Sequence, residues 1–347
     1  MPASAERPAD DAPTPAARPA GPVDGGLRAR LFDADGHDRP IDLGEVDLSA
    51  IGERRLVWVD IDLEAGGTLD PVAEALSLRP ADRHRIETDT ATTAFVQSVD
   101  RLHLTLEALE PTSEAFAAPL ARREFDLLAA PGLVVTVRRG HVDAIARFAD
   151  GLSEETSLGV LDAGELLSAI VDAVIAGYYA LVEATEQEID RLDQVALRGG
   201  PDVDILAEMV AVRRRIGIIR RTLAPHRVAL AALARPDMRA ETGVGQPWPG
   251  LVDRVESVLT AIETLRDALL GTYDIHMGRS AQRANDVMKA LTVLSAVLLP
   301  AVVLAGIMGM NFSIPFFETP DNFYLVLATM AAFSAALLGV ARWRRWI

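Results

Sequence analysis

Two long runs near the C-terminal end carry no charge at all. Ala290 to Met310 (ALTVLSAVLLPAVVLAGIMGM) has 21 residues and Phe323 to Ala341 (FYLVLATMAAFSAALLGVA) has 19. At about 1.5 Å per helical residue they reach roughly 31 Å and 28 Å, the thickness of a hydrocarbon core. The pattern therefore predicts transmembrane helices over 290–311 and 323–341, joined by a loop at 312–322. Pro300 lies inside the first run and cannot bond the carbonyl of Ala296, which then needs a neighbouring helix or a watery cavity.

Upstream, the periodicity is helical. Residues 161–248 read as a helical hairpin, with Asp162 to Leu197 as one arm, Gly199-Gly200-Pro201 as the stop and Asp202 to Leu233 as the other arm. From Pro249, a good first helical residue, no firm stop comes before Met310. Leu251, Val255, Val258, Ile262, Leu265 and Leu269 recur in heptad steps. This predicts a stalk helix over 249–289 that continues into the first span, roughly 93 Å in all. A seam of this kind needs partners, and two spans cannot enclose a watery path, so a pore requires several chains around one axis. Gly271 and Gly278 weaken the stalk by about 1 kcal/mol each, and close helix packing is the favoured reason for them.

Residues 27–160 alternate differently and predict an α/β domain. LVWVDID (Leu56 to Asp62), RLHLTLEALE (Arg101 to Glu110), REFDLLAAP (Arg123 to Pro131) and GLVVTVRRG (Gly132 to Gly140) read as strands. Pro131-Gly132 marks a hairpin turn. Asp70 to Leu78, Pro80 to Asp89 and His141 to Gly151 read as short helices. Residues 1–26 are Pro/Ala/Asp-rich without an apolar core, which predicts a disordered tail rather than a secretory signal. The fold class is thus an α+β membrane protein, with an N-terminal cytosolic α/β domain, a long helical hairpin, a stalk helix and two C-terminal transmembrane helices.

Charge orients this plan. The basic residues Arg279, Arg283 and Lys289 precede the first run, and Arg342, Arg344 and Arg345 lie in the tail 342–347. The loop holds only Glu318 and Asp321. The positive-inside rule puts both termini in the cytoplasm, in a cell (inner) membrane, with Trp343 and Trp346 at the inner interface and Phe316, Phe317, Phe323 and Tyr324 at the outer one. The formal charge of -16 excludes nucleic acid as partner and suits a body that concentrates cations. There is no cysteine, so disulfides and thiolate metal sites are out. No HExxH, P-loop, GxGxxG or GxSxG is present, so neither an enzyme nor ATP-driven transport is expected.

The stretch NDVMKALTVLSAVLLPAVVLAGIMGMNF (Asn285 to Phe312) closely resembles the CorA family of magnesium and divalent-cation transporters. Gly309-Met310-Asn311 matches that family's Gly-Met-Asn signature, and IRRTLAPHR (Ile219 to Arg227) looks like its helix-hairpin motif. The resemblance implies a homopentamer whose first spans line a pore, with the second spans outside against lipid. It implies divalent cations and the bilayer as partners, Mg²⁺ as substrate and regulatory ligand, and no cofactor. Gly309, Met310 and Asn311 would form the selectivity filter, with the five Asn311 amides facing an ion that keeps its water shell. Gly309 would permit a tight turn there.

On that reading the pore-lining and gating face is Asn285, Met288, Leu291 or Thr292, Ser295, Leu299, Val302 and Gly306. Lys289 would ring the inner side of the membrane and repel cations. The outer loop FSIPFFETPDN departs from the Met-Pro-Glu-Leu found in many family members, so Glu318 carries over only as a residue that attracts cations. Asp253 on the stalk is the candidate for a regulatory metal site, with Asp60, Asp62 and Asp89 as candidates on the α/β domain. A zinc transporter of the same superfamily, coupled to protons, and a non-transporting membrane scaffold or sensor are the competing readings.

Overall fold

The computed structural model describes residues 26–34, 38–48, 51, 54–88, 93–98, 101–152, 162–198, 204–235, 248–310 and 320–344. The chain divides into two compact units, Met1–Ile189 with Leu206–Asp267, and Asp190–Ile205 with Ala268–Ile347.

The first unit is built on a seven-stranded mixed sheet. Its strands are β1 (Leu27–Asp33), β2 (Arg39–Pro40), β3 (Arg55–Asp62), β4 (Ala94–Ser98), β5 (Arg101–Pro111), β6 (Leu120–Ala130) and β7 (Leu133–Arg138), in the order β2-β1-β3-β7-β6-β5-β4. Only β3 and β7 run parallel, from Val57 opposite Leu133 to Asp62 opposite Arg138. Both strands are near-continuous apolar runs, as strands covered on both faces must be. Pro40 sits on the edge strand β2, where its missing N–H interrupts no ladder. Gly132, in the β6–β7 turn, has φ +74°. A Cβ there would stand 2.8 Å from Ile51 Cγ2, so only glycine fits.

Short helices α1 (Asp70–Ala73) and α2 (Pro80–Glu87) cover one side of β3. Leu69, Val72, Leu76 and Ile86 join Val57, Val59 and Ile61 in one buried cluster. On the alternate side Trp58 meets Phe148 of α3 (Asp143–Gly151) edge to face at 5.6 Å. The remaining helices are α4 (Ala163–Arg198), α5 (Ile205–Leu233), α6 (Trp248–Met308) and α7 (Pro320–Trp343). Three strands, β1, β2 and β4, went unrecognised in the sequence, and α1 is shorter than its apolar pattern suggested. Ser77 breaks it with φ +46°.

The heptad seam has a different partner from the one its pattern suggested. Leu251, Val255, Val258, Ile262, Leu265 and Leu269 are all buried within the single chain. Around them, Tyr179 of α4 donates to the Arg254 carbonyl, and Arg254 pairs with Asp172 of α4. Arg220 and Arg227 of α5 reach Glu263 and Glu256. The hairpin of the same chain therefore satisfies the seam, and neighbouring chains are not needed for it. Gly271 and Gly278 are likewise no close-packing sites inside the chain, since a Cβ on either meets no atom within 4 Å.

The helical hairpin is tied to strand β5 at Glu107. β4 pairs with β5 as far as Thr105, so among the described residues no strand lies beside the outer backbone edge of Glu107. The Glu107 N–H donates to His226 Nε2 of α5 at 3.1 Å, and its carbonyl accepts from the Tyr178 hydroxyl of α4 at 2.7 Å. The two rings also meet edge to face. An acceptor Nε2 requires the neutral Nδ1–H form of His226. Burial holds the ring neutral by lowering its pKa from 6.5 to about 3. Above about pH 6.5 neither folded nor unfolded chain protonates this ring. As pH falls toward 3, the unfolded chain takes a proton that the folded chain refuses, so stability is lost across that window. We expect His226→Ala to destabilise the α/β unit by about 1–3 kcal/mol through the orphaned Glu107 N–H. His226→Gln should flatten the loss of melting temperature between pH 6.5 and pH 4, measured by circular dichroism.

Candidate cation pathway

The second unit contains the far half of α6 together with α7. Helix α6 runs through Pro300 without a break in assignment, and α7 is 24 residues long. Both are long and apolar enough to cross a membrane. α4 also meets that criterion by length and composition, but its most apolar window is 56% buried inside the protein, so it is a core helix.

Burial along the first span separates two faces. Val293 is buried, and Lys289, Val297, Pro300 and Ala301 are half-buried. On α7 the matching stripe is Val326, Met330, Ser334, Leu337 and buried Ala341. Each stripe steps by three or four residues, the spacing of one helix face.

The candidate pore face lies on the other side. At about 100° per residue, Ser295 and Leu299 are rotated from Val293 by about 200° and 240°. Met288, Leu291, Leu299 and Val302 are 60%, 54%, 67% and 65% exposed in the single chain, and Asn285, Ser295 and Gly306 are exposed as well. The structure thus brings these seven residues onto one uncovered, uncharged strip. Thr292 is exposed like Leu291, and its hydroxyl donates back to the Met288 carbonyl at 2.7 Å. Lys289 falls on the covered stripe and pairs with Asp286 at 3.3 Å.

The strip continues further than the sequence suggested. Leu270 lies 18 residues, or about five turns, before Met288 and so shares its face. Leu270 and Met277 are both exposed large apolar residues on a helix segment outside the uncharged run. Their spacing of seven was the available signal, masked by the stronger heptad seam that ends at Leu269.

α6 ends at Met308. Gly309 N–H donates to the Ala305 carbonyl at 3.0 Å and Met310 N–H to the Ile307 carbonyl at 3.2 Å, which tightens the last turn. Gly309 does not adopt a positive φ, and a Cβ on it would meet only the Ala305 and Gly306 carbonyl oxygens at 3.5 and 3.6 Å. The turn after Met308 is therefore made without a left-handed glycine. Asn311 and Glu318 lie outside the described residues.

The acidic candidates for a regulatory site divide. Asp253 is exposed on α6. Asp60 and Asp62 are already occupied. Arg138 pairs with both, at 3.1 and 2.7 Å, and Thr136 donates to Asp60 at 2.7 Å. Burial works to raise the Asp62 carboxyl, but the Gly140 N–H and the Arg138 charge more than offset it and hold it below the usual range. These two carboxylates lock the parallel strand pair and are not free for a cation. Asp89 lies outside the described residues. Among the described residues no group of three or more His, Cys, Asp or Glu could hold a metal ion.

The fold and this strip define a protein with a soluble α/β body and two apolar helices fit to cross a membrane. Residues 53–342 match the family model described as "CorA-like Mg2+ transporter protein", so the chain belongs to the CorA family. It is 28% identical over 187 residues to the cobalt/magnesium transport protein CorA of Thermotoga maritima, a match spanning 52% of either chain. It is 22% identical over 309 residues to the cobalt/magnesium transport protein CorA of Methanocaldococcus jannaschii, across 87% of this chain and 95% of that one. In fold it is similar to the complete CorA magnesium transporter structure from Methanocaldococcus jannaschii, with TM-score 0.70 and 19% identity, across 94% of this chain and all of that one.

The absence of cysteine gives a clean background for labelling the two faces. We expect Ser295→Cys in the membrane-embedded protein to react with a water-soluble methanethiosulfonate reagent, and Val293→Cys to remain unmodified. Equal labelling would remove the distinction between the faces.

Proposed function

We propose that this chain forms a gated, passive conduit for hydrated divalent cations, Mg²⁺ first and Co²⁺ or Ni²⁺ next, as a homopentamer with its first spans around the axis. The observation that carries this reading is the strip from Asn285 to Gly306, apolar or neutral, exposed in the single chain and opposite the stripe that α7 matches. An uncovered face of this length in a membrane helix meets lipid, another copy or water. Asn285 and Ser295 favour the last two.

The chemistry follows from the ion. Mg²⁺ is small and sheds water reluctantly, so a pore conducts it best with part or all of its hydration shell kept. Neutral oxygen acceptors hold that shell without trapping the ion, as a ring of carboxylates would. Asn311 supplies such oxygens at the outer mouth and Asn285 at the inner one. Between them Met288, Leu291, Leu299 and Val302 form apolar constrictions that close by expelling water. Both termini lie in the cytoplasm, and the acidic body draws cations to the inner mouth. Cytosolic Mg²⁺ bound between protomers, with Asp253 among its ligands, holds the pore closed. The protein is a transporter rather than an enzyme.

Purified protein in liposomes tests this. Mg²⁺ flux should appear without ATP and without a proton gradient, and Asn311→Ala should abolish it while the oligomer survives in lipid. Zn²⁺ flux that follows an imposed pH gradient would instead establish the zinc-transporting alternative. Absence of flux for every cation would leave the scaffold reading.

A further inference from the structure

The α/β unit contains a cavity of about 480 Å³, within the range of small-molecule sites. It is walled by the β5–β6 hairpin, α3, α4 and one residue of α5. Its surface is largely small or apolar, with Leu109, Phe116, Val174, Gly177, Leu181 and Ala184 among the lining residues. Gly177 keeps it open. This glycine is in the middle of α4, where it costs about 1 kcal/mol against alanine. A Cβ on it would meet nothing within 4 Å, so neither a turn nor close packing requires it.

The α5 residue is Arg215, which is only 7% exposed. Its Nη1 donates to the Phe116 carbonyl at 2.7 Å, and the guanidinium sits over the Phe116 ring at 4.5 Å. Among the described residues no carboxylate reaches it in an ion pair, and its Nε is buried without an acceptor. Burial lowers its pKa, and no neighbouring negative charge opposes that. A buried cation without a counter-charge is costly, and an anion bound beside it would offset that cost.

The other charges on the wall restrict the anion. Glu110 accepts the Asp143 N–H, Asp143 pairs with His141, and Glu188 has an interaction of its own. Glu114 and Arg147 are exposed. Four carboxylates against two guanidinium groups repel a polyanion such as a nucleotide. One uncompensated guanidinium matches one negative charge.

We propose that this cavity binds a small organic monocarboxylate, with its carboxylate on Arg215 and its apolar body against Gly177, Leu181 and Ala184. The site is independent of the ion pathway and does not rest on the transport reading. A ligand there bridges α3, α4, α5 and the β5–β6 hairpin, so it stabilises the folded unit in proportion to its occupancy.

The test uses the full chain in lipid nanodiscs. The probes are 3-phenylpropionate and indole-3-acetate, their neutral amides, inorganic phosphate and ATP. Both carboxylates should bind saturably and raise the unfolding temperature, while the amides, phosphate and ATP do neither. Arg215→Met should weaken carboxylate binding about tenfold or more. Gly177→Leu should remove it while leaving the ligand-free unfolding temperature unchanged or higher. Should Arg215→Met fail to fold, Gly177→Leu alone decides. The proposal is overturned if neither carboxylate binds at millimolar concentration, if binding survives Gly177→Leu, or if the amides or ATP bind as well as the acids.

Discussion

The burial of the α6 seam against its own hairpin is the constraint on which the rest of the structure depends. Six apolar residues from Leu251 to Leu269 disappear from solvent inside one chain. Because a helix turns by about 100° per residue, burying this face fixes which residues of the same segment remain outside. Pairs such as Arg254–Asp172 and Arg220–Glu263 border the seam but are half-exposed, so each contributes little. The apolar seam is the stronger term, at about 25 cal/mol for each Å² removed from water. Within the second unit, Val293 and Val297 form a covered stripe, and Met288, Leu299 and Val302 remain uncovered.

Charge is handled in the opposite way in the two units. In the α/β unit the buried acids meet buried bases. Arg138 serves Asp60 and Asp62, Arg101 serves Asp82, and His103 contacts Asp126. Such pairs add little net stability, but breaking one strands a charge, so they specify register more than they strengthen the fold. In the second unit the strip from Met288 to Gly306 contains no charge at all. None of the chain's formal charge of -16 is placed on that strip.

How much of this was legible in the sequence depended on the length scale of each signal. The two uncharged runs, the long α4 that ends at Arg198 and the long α6 were readable because each repeats one rule over many residues, while Gly199-Gly200-Pro201 lie outside the described residues. The seam was readable as a pattern but not in its partner, because a heptad records that a face is buried and not by what. β2 and β4 were missed because short edge strands carry weak alternation. The Glu107 clamp was unreadable, since it joins residues 107, 178 and 226 through the backbone of one and the side chains of the others. The carboxylates Asp60 and Asp62 misled for a related reason. An acid beside an apolar run looks like a ligand until the arginine four strands later in sequence, on neighbouring β7, is seen to hold it.

Gly309 shows where single-chain reasoning stops. Its backbone is in a region open to any residue, and a Cβ would make only ordinary contacts with Ala305 and Gly306. Nothing among the described residues calls for glycine. The lack of a side chain then matters to whatever approaches from outside. On the proposed assembly that is the same residue of another copy or the water around an ion, and a methyl group repeated at every copy would narrow the ring although each alone is tolerated. The demand for glycine then belongs to the proposed assembly rather than to the single chain.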